Sequence, residues 1–229
     1  MYNKMKMNII MPVFNEERTL GEIIRRVLAQ PFVDRLIIID DCSKDRSLEI
    51  IKAAAKRERR ITYMRNSENM GKGHSVRRGI AAVRSGIILI QDADLEYYPE
   101  DYAKLLKLLH GDVVVYGTRM IGKQTGHNYT MAKFANASLT WLFNILYKQR
   151  ITDMNTCYKI FTKGMLSGIK LKEEGFLIEP EISIKLAKKG YRIIEARIRY
   201  KGRTYAEGKK ITAKDGIKQA LYMVRESLA

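Results

Sequence analysis

The chain has 229 residues, of which 46% are hydrophobic and 29% are charged. These values are typical of a folded globular protein and exclude a disordered or collagen-like chain. Two cysteines, Cys42 and Cys157, are too few for a disulfide framework, so we expect a reducing, cytosolic setting. No apolar run reaches the roughly 18–20 residues that cross a bilayer.

Positive charge is concentrated in the second half of the sequence. The 42 Lys and Arg residues outnumber the 25 Asp and Glu residues, giving a formal net charge of +17. Residues 1–100 contain 18 basic and 14 acidic residues, whereas residues 101–229 contain 24 and 11. Such an excess suits a nucleic acid, a membrane surface or an acidic small substrate.

Short apolar runs alternate with segments of helical periodicity along the first half. Strands are predicted at residues 8–14, 36–40, 61–64, 86–90 and 112–116, and helices at 16–30, after 43–45, at 73–84 and at 99–109. This alternation predicts an α/β fold with a mostly parallel sheet and helices on both faces.

The second half is less regular. It predicts helices at residues 132–148, 179–189 and 212–228 and a strand at 191–199. No Pro-, Gly- or Ser-rich linker separates the halves. We therefore expect a single domain over residues 1–229, with a nucleotide-binding half at 1–120 and an acceptor-binding half at 121–229.

Acidic residues follow three of the predicted strands. In parallel sheets, ligands bind at the carboxyl ends of the strands, where these side chains would meet. The residues are Glu16, Asp40, Asp41, Asp92 and Asp94. So many carboxylates would repel each other unless a cation or hydrogen-bond donors lay among them. A divalent metal is the simplest resolution.

The DADLE segment is the best candidate for that metal. One residue separates Asp92 from Asp94, so in an extended segment both side chains point to one side, and Glu96 follows the same spacing. Oxygen ligands of this type suit Mg²⁺ or Mn²⁺. The alternative is a loop whose carboxylates cap turns.

Basic residues in the second half are candidates for phosphate binding. Arg119 follows the fifth predicted strand, and Arg203, Lys209 and Lys210 lie in a glycine-bracketed segment. Arginine binds phosphate oxygens bidentately and stays charged. The alternative for these residues is a solvated surface.

Seven motifs, taken together and in this order, resemble glycosyltransferase family 2, whose nucleotide-sugar fold is called GT-A. They are MPVFNEE, IIDDCSKD, NMGKGHSVRRGI, DADLEYYPED, GTR, DMNTCYKIF and RTYAEGKKI. Within the family, the sequence is most similar to dolichol-phosphate mannose synthases and polyprenyl-phosphate glucosyltransferases. The expected fold is thus GT-A, a Rossmann-like and mostly parallel sheet flanked by helices.

The resemblance also implies roles for individual residues. Asp94 and Glu96 would hold Mg²⁺ or Mn²⁺. The residues expected to contact the donor nucleotide are Pro12, Phe14, Glu16, Asp41, Asp92, Ala93, Asp94, Arg119, Arg203 and Lys209. Asp153 matches a carboxylate that related enzymes place near the acceptor, which implies a catalytic role; capping the following turn is the alternative.

The implied reaction is attack of a polyprenyl or dolichyl phosphate on a nucleotide sugar, with inversion and loss of a nucleoside diphosphate. The DMNTCYK and FLIEPEI segments resemble the glucose branch more than the mannose branch, so UDP-glucose is the first choice of donor and GDP-mannose the second. Two features depart from the common pattern. Cys42 replaces a frequent glycine, and Glu96 replaces a frequent glutamine.

Many relatives carry transmembrane helices after the catalytic domain, whereas this sequence ends at Ala229. We therefore expect peripheral attachment to the cytoplasmic face of the membrane, directly or through a membrane-anchoring partner. The segments 132–148 and 212–228 are apolar, with basic flanks, as in helices that lie in a membrane interface. Ordinary core helices are the alternative.

Two further functions stay open. One keeps the family but uses a soluble glycan or glycolipid as acceptor. The other is a basic nucleic-acid-binding module, but the acidic strand ends and the lack of a recognised nucleic-acid-binding motif argue against it. We accordingly expect no nucleic-acid partner.

Overall fold

The computed structural model describes residues 6–121, 129–203 and 213–228. The strands in these ranges are β1 (Met7–Val13), β2 (Val33–Asp40), β3 (Ile61–Arg65), β4 (Ile87–Ile90), β5 (Val113–Thr118), β6 (Lys159–Thr162) and β7 (Arg192–Arg197). The helices are α1 (Leu20–Leu28), α2 (Ser47–Arg57), α3 (Gly71–Ala82), α4 (Tyr102–Leu106), α5 (Tyr129–Tyr147), α6 (Ile178–Lys188) and α7 (Ala213–Leu228).

All these strands belong to one sheet, in the order β3-β2-β1-β4-β6-β5-β7. Within the described residues β6 is the exception in direction, because it runs antiparallel to both β4 and β5. The other neighbouring pairs are parallel. The carboxyl ends of β1, β2 and β4 therefore meet at one edge.

Burial on both faces explains the continuous apolar runs in the central strands. Ile9 and Ile10 of β1 are fully buried, as are Leu36 and Ile39 of β2. A parallel strand covered by helices on both faces selects such residues. The α3 helix packs closely on β1: a Cβ on Gly79 would come within 2.4 Å of Ile10.

The predicted α/β architecture is confirmed, and one strand was missed. The sequence does not predict β6, which has four residues and begins with a buried lysine, Lys159. The helix predicted at 99–109 is a short 3₁₀ turn, Pro99–Asp101, followed by α4. β6 and β7 complete the sheet of the first half, although they come from the second half of the chain.

Candidate active site

The acidic strand ends lie at the carboxyl edge of the sheet, as predicted. Glu16 follows β1, Asp41 follows β2, and the DADLE segment follows β4. Pro12 lies within β1, Phe14 comes directly after it, and both are half-buried.

The DADLE segment is bent, so the alternation that would point Asp92 and Asp94 to one side of an extended segment does not apply. Residues 93–96 form a bend, and Leu95 has a φ of 61°, in the left-handed region that non-glycine residues rarely adopt. This turn lets the Glu96 N–H donate to Asp94 Oδ1 at 3.1 Å. As a result Asp92 and Asp94 bind different cationic partners, and Ala93 between them is buried.

Arg203 lies at the centre of three carboxylates. Its Nη2 donates to Asp94 Oδ2 at 2.8 Å, and its Nη1 lies 3.2 and 3.1 Å from the two oxygens of Glu16. Its backbone N–H donates to Glu96 Oε1 at 2.6 Å. One guanidinium thus occupies the position where the sequence predicts a cation.

The pKa values of these carboxyl groups reflect their crowding. Burial raises the pKa of Asp94 to about 8, and the charges of Glu96 and Asp92 add to the increase. Burial also raises the pKa of Glu96. Arg203 opposes both shifts, but one positive charge does not compensate fully.

These residues fit a divalent cation. Over residues 6–121, 129–203 and 213–228, no three His, Cys, Asp or Glu side chains form a complete metal cage by themselves. Mg²⁺ needs no such cage, because it binds through one or two carboxylates, water and substrate phosphates. Asp94 and Glu96 supply two such carboxylates. In this structure their positive partner is the guanidinium of Arg203.

Asp41 fixes the turn before α3. Its Oδ1 accepts hydrogen bonds from Asn66 Nδ2 at 2.7 Å and from the Met70 N–H at 2.9 Å, and its Oδ2 accepts from the Gly71 N–H at 2.8 Å. Gly71 has a φ of 82°, which glycine adopts without strain. Cys42 also has a positive φ, 60°, so this turn does accept a side chain where the family often has glycine.

Arg119 and Asp153 form a bidentate ion pair beside the carboxylate cluster. Arg119 Nε lies 2.7 Å from Asp153 Oδ2, and Nη2 lies 2.8 Å from Oδ1. The Arg119 N–H and Asn136 Nδ2 also donate to the carboxylate of Asp153. Burial alone would raise the pKa of Asp153, but Arg119 and these hydrogen bonds hold it below its usual value. Asp153 is therefore buried behind Arg119 as an ionised group.

A chain of four charges under the site was missed by the sequence reasoning. Lys72 Nζ lies 2.8 Å from Asp92 Oδ1 and 3.0 Å from Glu179 Oε1. Glu179 Oε2 lies 2.9 Å from Lys159 Nζ, which also donates to the carbonyl of Met154. Neither Lys72 nor Lys159 lies in an element that the sequence predicts, so no sequence signal marked this chain.

Tyr200 was also missed. Its hydroxyl donates to Glu96 Oε2 at 2.5 Å, and its ring lies 5.1 Å from Arg119 Cζ. Lys209 and Lys210, the remaining basic residues predicted to bind phosphate, lie outside the described residues.

An exposed apolar surface covers α5 and α7, which pack side by side. Its prominent side chains are Phe134, Trp141, Ile145, Ile217, Leu221, Val224 and Leu228. We call this set the α5–α7 surface. Trp141 is 65% exposed and Leu221 is 67% exposed, which is unusual for large apolar side chains. No helix in the described ranges has the length and apolarity needed to pass through a bilayer.

Comparison with known proteins identifies the family, since residues 8–168 match the sequence profile described as glycosyl transferase family 2. The chain belongs to glycosyl transferase family 2. It is 33% identical over 143 residues to undecaprenyl-phosphate 4-deoxy-4-formamido-L-arabinose transferase from Photorhabdus laumondii, covering 59% of this chain and 43% of the relative. It is 23% identical over 237 residues to a dolichyl-phosphate beta-glucosyltransferase from Trichomonas vaginalis, covering 95% of this chain and 72% of the relative.

The fold of this family 2 chain is also found in a solved structure. Glucosyl-3-phosphoglycerate synthase from Mycobacterium tuberculosis, crystallised with Mn²⁺, UDP and glucosyl-3-phosphoglycerate, matches with a TM-score of 0.69 at 16% identity. The match covers 98% of this chain and 80% of that chain. The GT-A fold predicted from the motifs is confirmed.

Proposed function

We propose that this family 2 protein is an inverting hexosyltransferase that moves a sugar from a nucleotide sugar to a polyprenyl or dolichyl phosphate. UDP-glucose is the first choice of donor and GDP-mannose the second. The observation that carries the proposal is the meeting of Glu16, Asp94 and Glu96 around Arg203 at the carboxyl edge of the sheet. Arg119, which is paired with Asp153, provides a second guanidinium in the same site.

On the donor side, Asp94 and Glu96 would hold Mg²⁺ or Mn²⁺. When bound, such an ion would neutralise the donor diphosphate and make it a better leaving group. Arg203 would then exchange its carboxylate contacts for oxygens of the diphosphate, because its guanidinium already lies among the carboxylates that would hold the metal. The remaining donor contacts that we propose are Pro12, Phe14, Asp41, Asp92, Ala93 and Lys209.

Arg119, for which the resemblance implies a donor contact, would instead bind the lipid phosphate on the acceptor side, because its guanidinium is paired with Asp153, the carboxylate matched to the acceptor position. An oxygen of that phosphate attacks the anomeric carbon; a new carbon–oxygen bond forms there, and the bond to the donor diphosphate breaks. The electron pair leaves with the nucleoside diphosphate. A phosphate monoester is ionised at neutral pH, so no general base is required. In place of the catalytic role that the resemblance implies, Asp153 would orient Arg119, since both of its oxygens are hydrogen-bonded and its side chain is fully buried.

The α5–α7 surface would dock on the cytoplasmic leaflet of a membrane that contains anionic lipids. Exposed Lys148, Lys214 and Lys218 lie on or next to the two helices that carry its apolar side chains. At the interface of an anionic bilayer, the apolar side chains would contact the acyl chains and the basic residues would contact the anionic headgroups. This docking would bring the site to an acceptor phosphate held in the membrane. The related lipid-phosphate transferases support this choice of acceptor.

A binding screen tests the donor half of this proposal. Thermal unfolding would be followed with UDP, GDP and their hexose derivatives, each with and without Mn²⁺, because a ligand that binds the native state raises its stability. Selective stabilisation by UDP compounds with Mn²⁺ is expected. Stabilisation by GDP compounds would favour mannose, and no response to any nucleotide would contradict the proposal.

A further inference from the structure

Tyr200 touches both halves of the candidate site. Its hydroxyl donates a hydrogen bond of 2.5 Å to Glu96 Oε2, on the donor side. Its ring lies 5.1 Å from Arg119 Cζ, within the range of a cation–π contact, and Arg119 binds Asp153 on the acceptor side. A single side chain therefore joins the cation-binding carboxylates to the arginine proposed to bind the acceptor.

The position of Tyr200 is fixed by its surroundings. It forms an isolated β-bridge with Tyr97, and the Lys201 N–H donates to the Glu96 carbonyl at 2.9 Å. The rings of Tyr97 and Tyr200 pack edge to face with 5.0 Å between their centroids. Tyr97 is itself buried, and its hydroxyl accepts a hydrogen bond from the Cys157 N–H. Backbone and ring contacts thus hold the Tyr200 side chain in place.

We propose that Tyr200 is a positioning residue for the transfer reaction. Its hydroxyl orients the Glu96 carboxylate for the divalent cation, and its ring holds Arg119 in the direction of the acceptor phosphate. Mutating a partner that orients a metal ligand typically weakens metal affinity by about 10- to 100-fold. The inference rests on the proposed function, because it assigns Glu96 to the donor side and Arg119 to the acceptor side.

Two substitutions separate the two contacts. Tyr200→Phe keeps the ring and removes the hydroxyl, so it should weaken Mn²⁺ binding in the presence of UDP by about 10-fold. It should leave the KM for an isoprenyl phosphate acceptor unchanged. Tyr200→Leu removes both contacts, so it should also raise that KM. Mn²⁺ affinity is measured by calorimetry with UDP present, and KM is measured with farnesyl phosphate.

Tyr98 provides a matched control, because it lies two residues from Glu96 and stacks on other arginines, Arg26 and Arg199, outside the site. Tyr98→Phe and Tyr98→Leu should leave both measurements unchanged. If Tyr98→Phe weakened Mn²⁺ binding as much as Tyr200→Phe, the effect would be general to the loop and the inference would be overturned.

The outcomes separate this inference from the proposed function. Wild-type protein that binds neither Mn²⁺ nor UDP would overturn the proposed function and the role of Tyr200 with it. Wild-type protein that binds both, together with an unchanged Tyr200→Phe variant, would overturn the role of Tyr200 alone. If Tyr200→Leu does not fold, the Mn²⁺ affinity of Tyr200→Phe decides, since that variant loses only one oxygen atom.

Discussion

Arg203 Nη2 lies 2.8 Å from Asp94 Oδ2, so a residue predicted to bind the donor diphosphate forms an ion pair with a residue predicted to bind the metal. The two lie 109 positions apart in the sequence. Because the same guanidinium also contacts Glu16, a protein cation lies among the carboxylates that we propose for the metal and the donor. Arg203 and a divalent ion would therefore compete for the same oxygens when no nucleotide is present.

This competition predicts that Arg203→Ala makes the protein respond more strongly to Mn²⁺ alone. Removing Arg203 leaves three partly buried carboxylates without the cation that they share, which should lower the free energy of unfolding by about 2 kcal/mol. Mn²⁺ should restore more of that stability than it adds to wild type. Thermal unfolding with increasing Mn²⁺ measures the difference. Arg199→Ala, which removes a more exposed arginine paired with Asp101, is the control. Equal responses in all three proteins would refute the competition.

Asp153→Asn should lower turnover more than donor affinity. The substitution removes the anion that orients Arg119 but leaves the carboxylate cluster intact. Turnover is expected to fall about 10- to 100-fold, as for other groups that orient a functional side chain, with the Kd for UDP and Mn²⁺ unchanged. Steady-state kinetics and calorimetry on the same preparation give both quantities. A variant with wild-type turnover would remove Asp153 from the mechanism.

The stability effect of Asp153→Asn should depend on pH. Arg119 holds the pKa of Asp153 below its ordinary value of 3.8, so the ionised form stabilises the native state. That contribution is fully present above the ordinary value and is lost as the pH falls through the lower pKa of the folded protein. The difference in unfolding free energy between wild type and variant should therefore be largest near neutral pH and shrink below about pH 4. A difference that stays constant in urea unfolding from pH 7 to pH 3 would contradict the ion pair.

Glu179→Gln should destabilise the fold. Glu179 lies between Lys72 and Lys159, and its loss would take from the fully buried ammonium of Lys159 the carboxylate that pairs with it, while Lys72 would keep Asp92. Removing one partner of a buried ion pair typically costs about 3–5 kcal/mol. Urea unfolding measures this value, and Glu174→Gln, at an exposed position five residues earlier, should change it little. If Glu179→Gln and Glu174→Gln had the same free energy of unfolding, the chain of charges would not contribute to stability.

The α5–α7 surface should bind anionic vesicles. Burying a large apolar side chain contributes roughly 1.5–3 kcal/mol, so the double variant Trp141→Ser/Leu221→Ser should bind about 100-fold more weakly than wild type. Sedimentation with vesicles of phosphatidylcholine and phosphatidylglycerol measures the binding. Tyr63→Ser, at an exposed position on β3, is the control. If the wild-type protein does not bind vesicles but forms a dimer, and the double variant does not dimerise, the surface is a protein interface and the docking proposal is wrong.

The sequence predicted the parallel part of the sheet because its strands are apolar on both faces. Ile9 and Leu36 are fully buried in strands covered on both faces, so the continuous apolar runs were sufficient to predict those strands. It did not predict β6, because the strand has only four residues and begins with a lysine, Lys159. Glu179, 20 positions away in the sequence, and the carbonyls of Met154 and Thr156 together make a buried lysine acceptable in that strand.

In the candidate site, too, local sequence patterns could be read but contacts between distant residues could not. Motif order located Asp94, Glu96, Arg119 and Arg203, but not how they pair. Arg203 meets Glu16 across 187 positions, and no local pattern encodes such a contact. The bend at Leu95 was missed for a similar reason, since a leucine with positive φ is held by tertiary contacts and not by its own preference.

The most direct test of the proposed function is transfer of labelled glucose from UDP-glucose to a polyprenyl phosphate in the presence of Mn²⁺. We predict a labelled lipid product with release of UDP, and no product with EDTA or with Asp94→Asn. A parallel reaction with GDP-mannose tests the second donor, and soluble glycans and glycolipids test the alternative acceptors. Transfer that persists in Asp94→Asn with EDTA, or the absence of any labelled lipid with either donor, would contradict metal-assisted transfer to a lipid phosphate.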